Sequence, residues 1–387
     1  MFFKSIKIKN FSKKFRKSSS KNLMLSFKKF IDSNNNILLS MKNNYKDSYN
    51  KKLILDLKKF KNVNLIGMGG SSLGAKAIYS FLGSKKKFYF FDNFSNFKFK
   101  QNDKKNINLI ISKSGNTLET ISNSNILIKK SKKNIFVTEN KKNYLMSLAN
   151  KLKAEVVHHN NFIGGRYSVL SEVGMLPAQL MGYDAKKFRR LNQIVKNKQY
   201  INLLVQSVSS ILALNKRNIT NSIILNYDDR SNDLFYWYQQ LVAESLGKKN
   251  KGILPIISTM PRDNHSLMQY YLDGVKNNFF TLFFVKEKHS NKINNKSILK
   301  SNSYLKDKTL NDISFSQFCA TEKVFKKKKF PFRSFVIDNR SEEVLGELFT
   351  FFILETILLG TAMKINPFDQ PAVELIKINT KKILKNL

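Results

Sequence analysis

The sequence predicts an α/β protein with two domains, each built on a parallel β-sheet that carries helices on both faces. The chain of 387 residues is too long for one ordinary core, so two domains are expected. From Val63 onward, short apolar runs alternate with helical stretches, which is the pattern of a parallel sheet covered on both sides. A second series of such runs follows a helical region between Pro177 and Asn215. We therefore expect an N-terminal helical or extended segment at 1–45, a first α/β domain at 46–190, and a second at 191–387 that ends in helices.

The apolar runs that predict the strands end in small polar residues. The first series is "VNLIGMGG", "KFYFFD", "INLIISKSG", "NIFVTEN" and "AEVVHH", and the second is "SIILNY", "GILPII", "FFTLFFV" and "FRSFVID". Ligands of such sheets bind at the carboxyl ends of the strands, so the loops after these runs are the candidates for function. The Lys/Asn-rich stretch 286–309 predicts an exposed loop.

Composition indicates a packed protein and leaves the role of its charge open. Hydrophobic residues make up 42% of the sequence, with 32 Phe and only 6 Pro, which is typical of a globular chain. The formal net charge is +41, and a field of that sign attracts nucleic acid, acidic lipid or small anions. Arginine is scarce, however, and the lysines are scattered along the whole chain. This distribution favours a solvated basic surface over a dedicated nucleic-acid face, which would concentrate its charge and use arginine.

Cysteine usage and the apolar segments indicate a cytoplasmic protein that does not enter the membrane. Cys319 is the single cysteine, which excludes a disulfide framework and fits a reducing compartment. The first residues contain no apolar run of signal-peptide length. The segment Val344–Met363 is apolar enough for a membrane helix, but Glu347 and Glu355 lie inside it and would be costly in lipid. We therefore predict a buried core helix there.

The loop "GMGGSSLG" follows the first predicted strand and allows three interpretations. As a dinucleotide fingerprint it fits only in part, because Ser72 stands where the third glycine belongs. As a phosphate or hydroxyl cradle, Gly70 lets the backbone approach a ligand and Ser71 donates a hydrogen bond. It is also compatible with a tight strand-to-helix turn that binds nothing.

The loop "ISKSGNTLET" occupies the matching place after the third predicted strand of the first series. It brings three hydroxyls, one cation and a run of N–H groups to a helix N-terminus, which is a ready anion site. A monophosphate is the expected anion, because no Walker lysine follows a glycine loop to hold a triphosphate. The residues of this site are Ser112, Lys113, Ser114 and Thr117.

Two further stretches supply a cation and a carboxylate. Arg166 follows a glycine pair in "IGGRYSVLSEVGMLP", where it is either exposed or turned inward to stabilise an oxyanion. Gln240 and Glu244 lie four residues apart in "WYQQLVAESLGK" and share one face of a predicted helix. Glu244 near the end of that helix suits a general base, and the alternative is a solvent-facing carboxylate paired with Lys248.

A histidine in "RDNHSLMQYYLDG" is the candidate for proton exchange. Asp263 and Asn264 are capping candidates that would place His265 at the start of a helix, where the field disfavours the imidazolium form. The remaining histidines are His158, His159 and His289. No histidine pair has metal-ligand spacing with carboxylates, so no metal site is predicted.

Taken in this order, the stretches resemble the phosphoglucose isomerase family, which is built from two sugar-isomerase (SIS) domains. The similarity runs from Val63 to Lys377, and its most specific parts are "GGRYSVLSEVGMLP" and "VLGELFTFFILETILLGTAMKINPFDQPAVELIK". Ala372 departs from the family, which usually has glycine after "DQP", and the chain is shorter than most relatives. The turn "INPFDQP" then looks like the wall of a sugar pocket, and Lys377 lies about 9 Å further along the next helix. Glu374 shares the face of that lysine and is placed to orient it.

The resemblance implies interconversion of glucose 6-phosphate and fructose 6-phosphate, in glycolysis and gluconeogenesis, without a cofactor. It implies that Glu244 moves the proton between C2 and C1 through a cis-enediol(ate) and that Arg166 stabilises the developing charge. His265 would open the sugar ring with help from Lys377, and it would come from the partner subunit of a homodimer. Ser112, Lys113, Ser114 and Thr117 would hold the 6-phosphate, while Gly70, Ser71, Gln240 and Gln370 would line the sugar site.

Three alternatives stay open on the sequence. The same chemistry could extend to mannose 6-phosphate, which depends on one or two side chains near C2 that the sequence does not identify. A phosphosugar-binding SIS module without turnover is a second alternative, against which the joint presence of Glu244, His265, Arg166 and Lys377 argues. A polyanion-binding protein is the third, and its only support is the net charge of +41.

Overall fold

The computed structural model describes residues 5–15, 20–94, 106–128 and 133–387. In these residues the strands are β1 (Ile6–Lys9), β2 (Asn62–Ile66), β3 (Lys87–Phe91), β4 (Asn106–Ile111), β5 (Asn134–Thr138), β6 (Glu155–His158), β7 (Asn221–Asn226), β8 (Leu254–Thr259), β9 (Asn278–Val285) and β10 (Phe332–Ile337). The helices are α1 (Ser20–Ile31), α2 (Asn36–Ser40), α3 (Lys51–Lys58), α4 (Leu73–Leu82), α5 (Leu118–Leu127), α6 (Tyr144–Lys151), α7 (Glu172–Met181), α8 (Ala185–Phe188), α9 (Leu191–Ile194), α10 (Lys198–Asn215), α11 (Asn232–Leu246), α12 (Met268–Asp273), α13 (Leu310–Lys327), α14 (Glu342–Ala362) and α15 (Glu374–Leu384).

The first sheet has the strand order β3-β2-β4-β5-β6, and all of its pairs are parallel. Its central strands are buried along their whole length, which explains why their sequences are nearly continuous apolar runs. Loops of adjacent parallel strands meet at one edge. A Cβ atom on Gly67, after β2, would lie 2.9 Å from the carbonyl oxygen of Ile111 at the end of β4. The glycine loop and the serine-threonine loop are therefore neighbours.

The second sheet has the order β1-β10-β9-β7-β8. The pairs among β7, β8, β9 and β10 are parallel, as predicted, but β1 pairs antiparallel with β10. β1 is therefore an additional antiparallel edge strand that the sequence did not predict. Residues near the N-terminus cover the otherwise unpaired edge of β10, and Ile6 is buried there. The domain boundaries 1–45, 46–190 and 191–387 stay predictions.

Helix α14 is the core helix that the sequence predicts. It is long and apolar enough to cross a membrane, yet 94% of its most apolar window is buried inside the protein. Its Glu355 carboxylate accepts from Arg333 at 3.0 Å, and both side chains are almost fully buried. Because a buried charge requires a partner, this ion pair makes the acid tolerable in the core.

Helix α11 links the two series of elements. It packs against α4, which follows β2 of the first sheet, and also against β8 and α14 from the second half of the chain. Residues on α11 therefore reach the edge of the first sheet, where the two candidate loops lie. The stretch 286–309 is mostly exposed, as predicted, and contains two 3₁₀ turns.

Candidate active site

The glycine loop is shaped by a close approach of two backbone segments. A Cβ atom on Gly70 would lie 2.1 Å from the carbonyl carbon of Gly165 and 2.6 Å from the backbone nitrogen of Arg166. Only glycine fits there without displacing the chain. Gly70 thus accommodates the backbone segment that carries Arg166, and its predicted approach to a ligand stays a prediction. Ser71 is half-buried at the end of the same 3₁₀ turn.

Arg166 lies inside the protein, which decides between the two predicted placements. Its side chain is only 2% exposed, and it extends from the 3₁₀ turn Gly165–Leu170. Each nitrogen of the guanidinium has a partner. Nε donates to Ser245 Oγ (2.8 Å), and Nη1 donates to Gln370 Oε1 (2.8 Å). Nη2 donates to the carbonyl oxygens of Pro367 (2.7 Å) and Asp369 (3.0 Å). This network holds the cation in one orientation.

Glu244 is the carboxylate that faces this cation. Its Oε1 lies 3.2 Å from Arg166 Nη1, and its side chain is 25% exposed. The alternative in which Glu244 pairs with Lys248 is wrong, because Lys248 Nζ instead lies 2.8 Å from Asp369 Oδ1. A carboxylate that is open to a ligand on one side and held by a fixed guanidinium on the other can take up a proton beside a stabilising charge.

Gln240 connects α11 to the glycine loop. Gly69 has a φ of +53°, and a Cβ atom there would lie 2.6 Å from Gln240 Nε2. The Oε1 atom of Gln240 is buried and has no hydrogen-bond partner in the described part of the chain. A buried acceptor without a partner is costly, so this atom is suited to receive a donor from a ligand.

The serine-threonine loop forms a compact turn at the start of α5. Ser112 Oγ and Thr117 Oγ1 lie 3.0 Å apart, and the Thr117 side chain makes no capping bond to the helix. Lys113 Nζ lies 3.3 Å from Glu139 Oε1, so its charge is shared with an acid. Ser114 is exposed and accepts from the backbone nitrogen of Asn116 at 3.3 Å. Hydroxyls and free N–H groups at a helix N-terminus suit an anion.

His265 and Lys377 lie outside the network around Arg166. The prediction that Asp263 or Asn264 caps a helix beginning at His265 is wrong: His265 ends a 3₁₀ turn, and α12 begins three residues later. The cause is that Asp263 accepts from the backbone nitrogen of Thr259 at 2.7 Å and so turns back toward β8. Lys377 is exposed on α15 and lies 3.3 Å from Glu374, the predicted partner.

Glu172, at the start of α7, is an acid that was not among the candidate residues predicted from the sequence. It is buried and accepts from the backbone nitrogen of Asn160 at 2.6 Å and from the hydroxyl of Tyr45 at 3.0 Å. Burial raises the pKa of Glu172. The signal was present in "SEVGMLP", where one acid stands among apolar residues. Nearby His159 is buried as well, and burial lowers its pKa to about 4. In the described residues no group of three or more His, Cys, Asp or Glu side chains could hold a metal ion.

Comparison with known proteins gives a consistent family. The model of the family described as phosphoglucose isomerase matches residues 14–387. A glucose-6-phosphate isomerase of Methanocaldococcus jannaschii is 34% identical over 341 residues, which cover 81% of this chain and 82% of that protein. A glucose-6-phosphate isomerase of Campylobacter jejuni is 29% identical over 371 residues, with coverage of 86% and 87%.

Solved structures share the fold. A hypothetical protein of Thermus thermophilus superposes with a TM-score of 0.82 at 22% identity and covers 94% of each chain. A glucose-6-phosphate isomerase of Chlamydia trachomatis superposes with a TM-score of 0.67 at 21% identity, over 86% of this chain and 72% of that one. At these identities the likeness concerns the two-sheet architecture.

Proposed function

The chain belongs to the phosphoglucose isomerase family, and on that premise we propose that it interconverts glucose 6-phosphate and fructose 6-phosphate. This is an aldose-ketose isomerisation, an intramolecular transfer of hydrogen between C2 and C1 of the open-chain sugar. The reaction serves glycolysis and gluconeogenesis. Because the hydrogen stays within one molecule, the reaction requires a base and a site for negative charge, and no redox cofactor.

The observation that carries the proposal is the pair formed by Glu244 and Arg166. Glu244 removes the proton from C2 and returns it to C1, and the intermediate is a cis-enediol(ate). The negative charge that develops on the sugar oxygens is stabilised by Arg166, whose Nη1 lies 3.2 Å from the base. Arg166 is oriented by its other partners before substrate arrives, so little reorganisation opposes the charge.

The remaining site residues divide between the two ends of the sugar. We propose that Ser112, Lys113, Ser114 and Thr117 bind the 6-phosphate at the N-terminus of α5. Gly70, Ser71, Gln240 and Gln370 line the sugar site. The adjacency of the two loops at one edge of the first sheet supports this division, as does the contact of Gln370 with Arg166 at 2.8 Å.

Ring opening is assigned to His265 with assistance from Lys377, in a homodimer where the histidine reaches the partner's site. Both residues are exposed in the single chain. Helix α15 also exposes large apolar side chains, including Leu375 at 66% and Ile376 at 70%, which suits a surface covered by a second subunit. We further propose that the protein is cytoplasmic, with no nucleic-acid or membrane partner.

A coupled assay that converts fructose 6-phosphate to glucose 6-phosphate tests the proposal. Wild type should turn over, and Glu244→Gln should lose about 10²- to 10⁴-fold in kcat, the typical contribution of a general base. Glu343→Gln, which changes an acid at the start of α14, is the matched control and should keep wild-type kcat. Full activity of Glu244→Gln would remove that residue as the base.

The other outcomes separate the alternatives. Binding of fructose 6-phosphate without turnover by wild type would indicate a phosphosugar-binding module. Retention on DNA that weakens with salt, in the absence of isomerase activity, would indicate a polyanion-binding protein. Turnover of mannose 6-phosphate in the same assay would extend the activity to a bifunctional isomerase.

A further inference from the structure

We propose that Lys248 is a positioning residue of the reaction: with Asp369 it forms a brace that holds the turn carrying Gln370 against Arg166. The inference rests on the proposed function, since its effect on turnover requires that the enzyme isomerise hexose phosphates. The turn consists of residues 366–370 and connects the core helix α14 to α15.

The turn is mostly exposed, so its position depends on a few specific bonds. Lys248 Nζ donates to the carbonyl oxygen of Asn366 at 2.5 Å and to Asp369 Oδ1 at 2.8 Å. The other carboxylate oxygen, Asp369 Oδ2, accepts from Asn366 Nδ2 at 2.9 Å. Lys248 is only 12% exposed although Asp369 is 52% exposed. The Lys248 side chain is therefore largely buried and held by these bonds, unlike a freely solvated surface lysine.

Arg166 holds the same turn from the other side. Its Nη2 donates to the carbonyl oxygens of Pro367 and Asp369, while its Nη1 faces Gln370 and Glu244. If Lys248 released the turn, only Arg166 and Tyr167 would hold it by hydrogen bonds on this side, the Tyr167 hydroxyl through its 2.9 Å bond to the carbonyl oxygen of Pro367. The guanidinium would then follow the turn's motion, and the geometry between its Nη1 and the base would vary.

The end of α11 places Lys248 for this task. Gln240 and Glu244 lie on one face of α11, and Lys248 follows four residues after Glu244, just beyond the helix end at Leu246. Gly247 packs closely at that end, because a Cβ atom there would lie 2.8 Å from the carbonyl oxygen of Ala243. Helix α11 therefore presents the base to Arg166, and the residues directly after it present Lys248 to the turn.

The brace differs from an ordinary surface ion pair in what its loss changes. An exposed pair contributes little to stability, and it is not expected to affect turnover. Displacement of a catalytic group by about 1 Å can cost on the order of 100-fold in rate. We therefore expect loss of the brace to lower kcat by roughly 10-fold, with a much smaller change in the KM for fructose 6-phosphate, because the 6-phosphate loop is not touched.

The test is a double-mutant cycle with Lys248→Met and Asp369→Asn in the coupled assay. Each variant should lose kcat to a similar extent, and the double variant should lose no more than either one, because the two residues act as a unit. Lys248→Arg keeps the cation and should recover most of kcat. Lys249→Met, at the exposed neighbouring position, is the matched control and should keep wild-type kinetics. Wild-type kcat in Lys248→Met, or strictly additive losses, would overturn the brace.

Hydrogen exchange of the amides in residues 366–370 provides a readout that does not depend on the reaction. Exchange should accelerate in Lys248→Met and Asp369→Asn but not in Lys249→Met. If wild type fails to isomerise fructose 6-phosphate while exchange accelerates as expected, the proposed function falls and the brace stands. If wild type isomerises the sugar and neither exchange nor kcat responds to Lys248→Met, the brace falls alone.

Discussion

The carboxyl ends of the parallel strands form a similar edge in both sheets, but the side chains that follow the strands differ. At the first sheet the loops after β2 and β4 carry glycines and hydroxyls, and their lysine shares its charge with a largely enclosed acid. At the second sheet charged residues that follow β7, β9 and β10 pair with one another. Arg340 donates to Asp228 Oδ1 at 2.6 Å, and its Nε donates to Glu287 Oε1 at 2.9 Å.

The difference explains why we propose a ligand site at the edge of the first sheet and none at the edge of the second. A ligand at the second edge would have to break an ion pair between Arg340 and Asp228, whose side chains are 9% and 7% exposed. Breaking a buried pair leaves an uncompensated charge, so that edge is closed. At the first edge the proposed phosphate would meet hydroxyls, which can rotate toward it, and N–H groups at the start of α5. The fold therefore supplies two candidate edges, and local side chains decide which of them binds.

The largest expected effect separates a reacting arginine from a structural one. Arg166→Lys removes the guanidinium fork beside Glu244, and kcat/KM should fall by about 10²- to 10³-fold, as for loss of one oxyanion donor. Arg340→Lys makes the same chemical change at the closed edge and should leave kcat/KM near wild type. Steady-state assays, with circular dichroism to verify folding, make the comparison. Equal losses in both variants would show that the two edges do not differ in function.

A stability measurement tests the ion pair between Arg340 and Asp228 at the edge of the second sheet. Arg340→Met leaves Asp228 buried without its cation, and the free energy of unfolding should fall by about 3 kcal/mol. Chemical denaturation measures this loss. Removing the charge of Asp228 as well, in Asp228→Asn with Arg340→Met, should recover part of it. A double variant as unstable as Arg340→Met would contradict the role assigned to this ion pair.

Removal of the Ser112 hydroxyl tests the proposed phosphate site at the edge of the first sheet. Ser112→Ala removes one proposed donor to the 6-phosphate, and a hydrogen bond to a charged group contributes about 1.5 to 3 kcal/mol. The KM for fructose 6-phosphate should therefore rise by roughly 10-fold or more, while kcat changes little. Ser314→Ala on α13, which covers the second sheet, is the control and should leave KM unchanged. A fall in kcat alone would argue against phosphate binding by Ser112.

The smallest expected effect is a pH dependence of stability that arises from His159, which follows β6 at the edge of the first sheet. Burial lowers the pKa of His159 to about 4 in the folded protein, below its ordinary 6.5. The unfolded chain therefore binds the proton more readily, and this contribution to stability is lost as pH falls from 6.5 toward 4. Between about pH 7 and about pH 5.5 the loss should be about 1 kcal/mol. Denaturation of wild type and His159→Gln at both pH values measures it, and an unchanged difference in the variant would exclude His159 as the source.

Much of the fold follows from local patterns. The strands β2 to β10 and the buried helix α14 lie where apolar runs of the appropriate length predict them, because burial on both faces leaves few polar positions. The pairing of β1 with β10 could not be predicted in this way. Residues 6–9 form a short, weakly patterned strand, and their partner lies more than 300 residues further along the chain.

The sequence by itself determined which residue types are available to the site: hydroxyls and a lysine before a helix, a glycine turn, a carboxylate on a helix, and an arginine after a glycine pair. Only the tertiary structure decided which groups meet. Arg166 is 204 residues from Gln370, and Lys248 is 121 residues from Asp369. Residue type limits what a side chain can bind, but contacts at such separations depend on how α11, α14 and the glycine loop pack. For that reason the sequence left Arg166 either exposed or inward and offered Lys248 as a partner for Glu244, whereas packing paired Glu244 with Arg166 and Lys248 with Asp369.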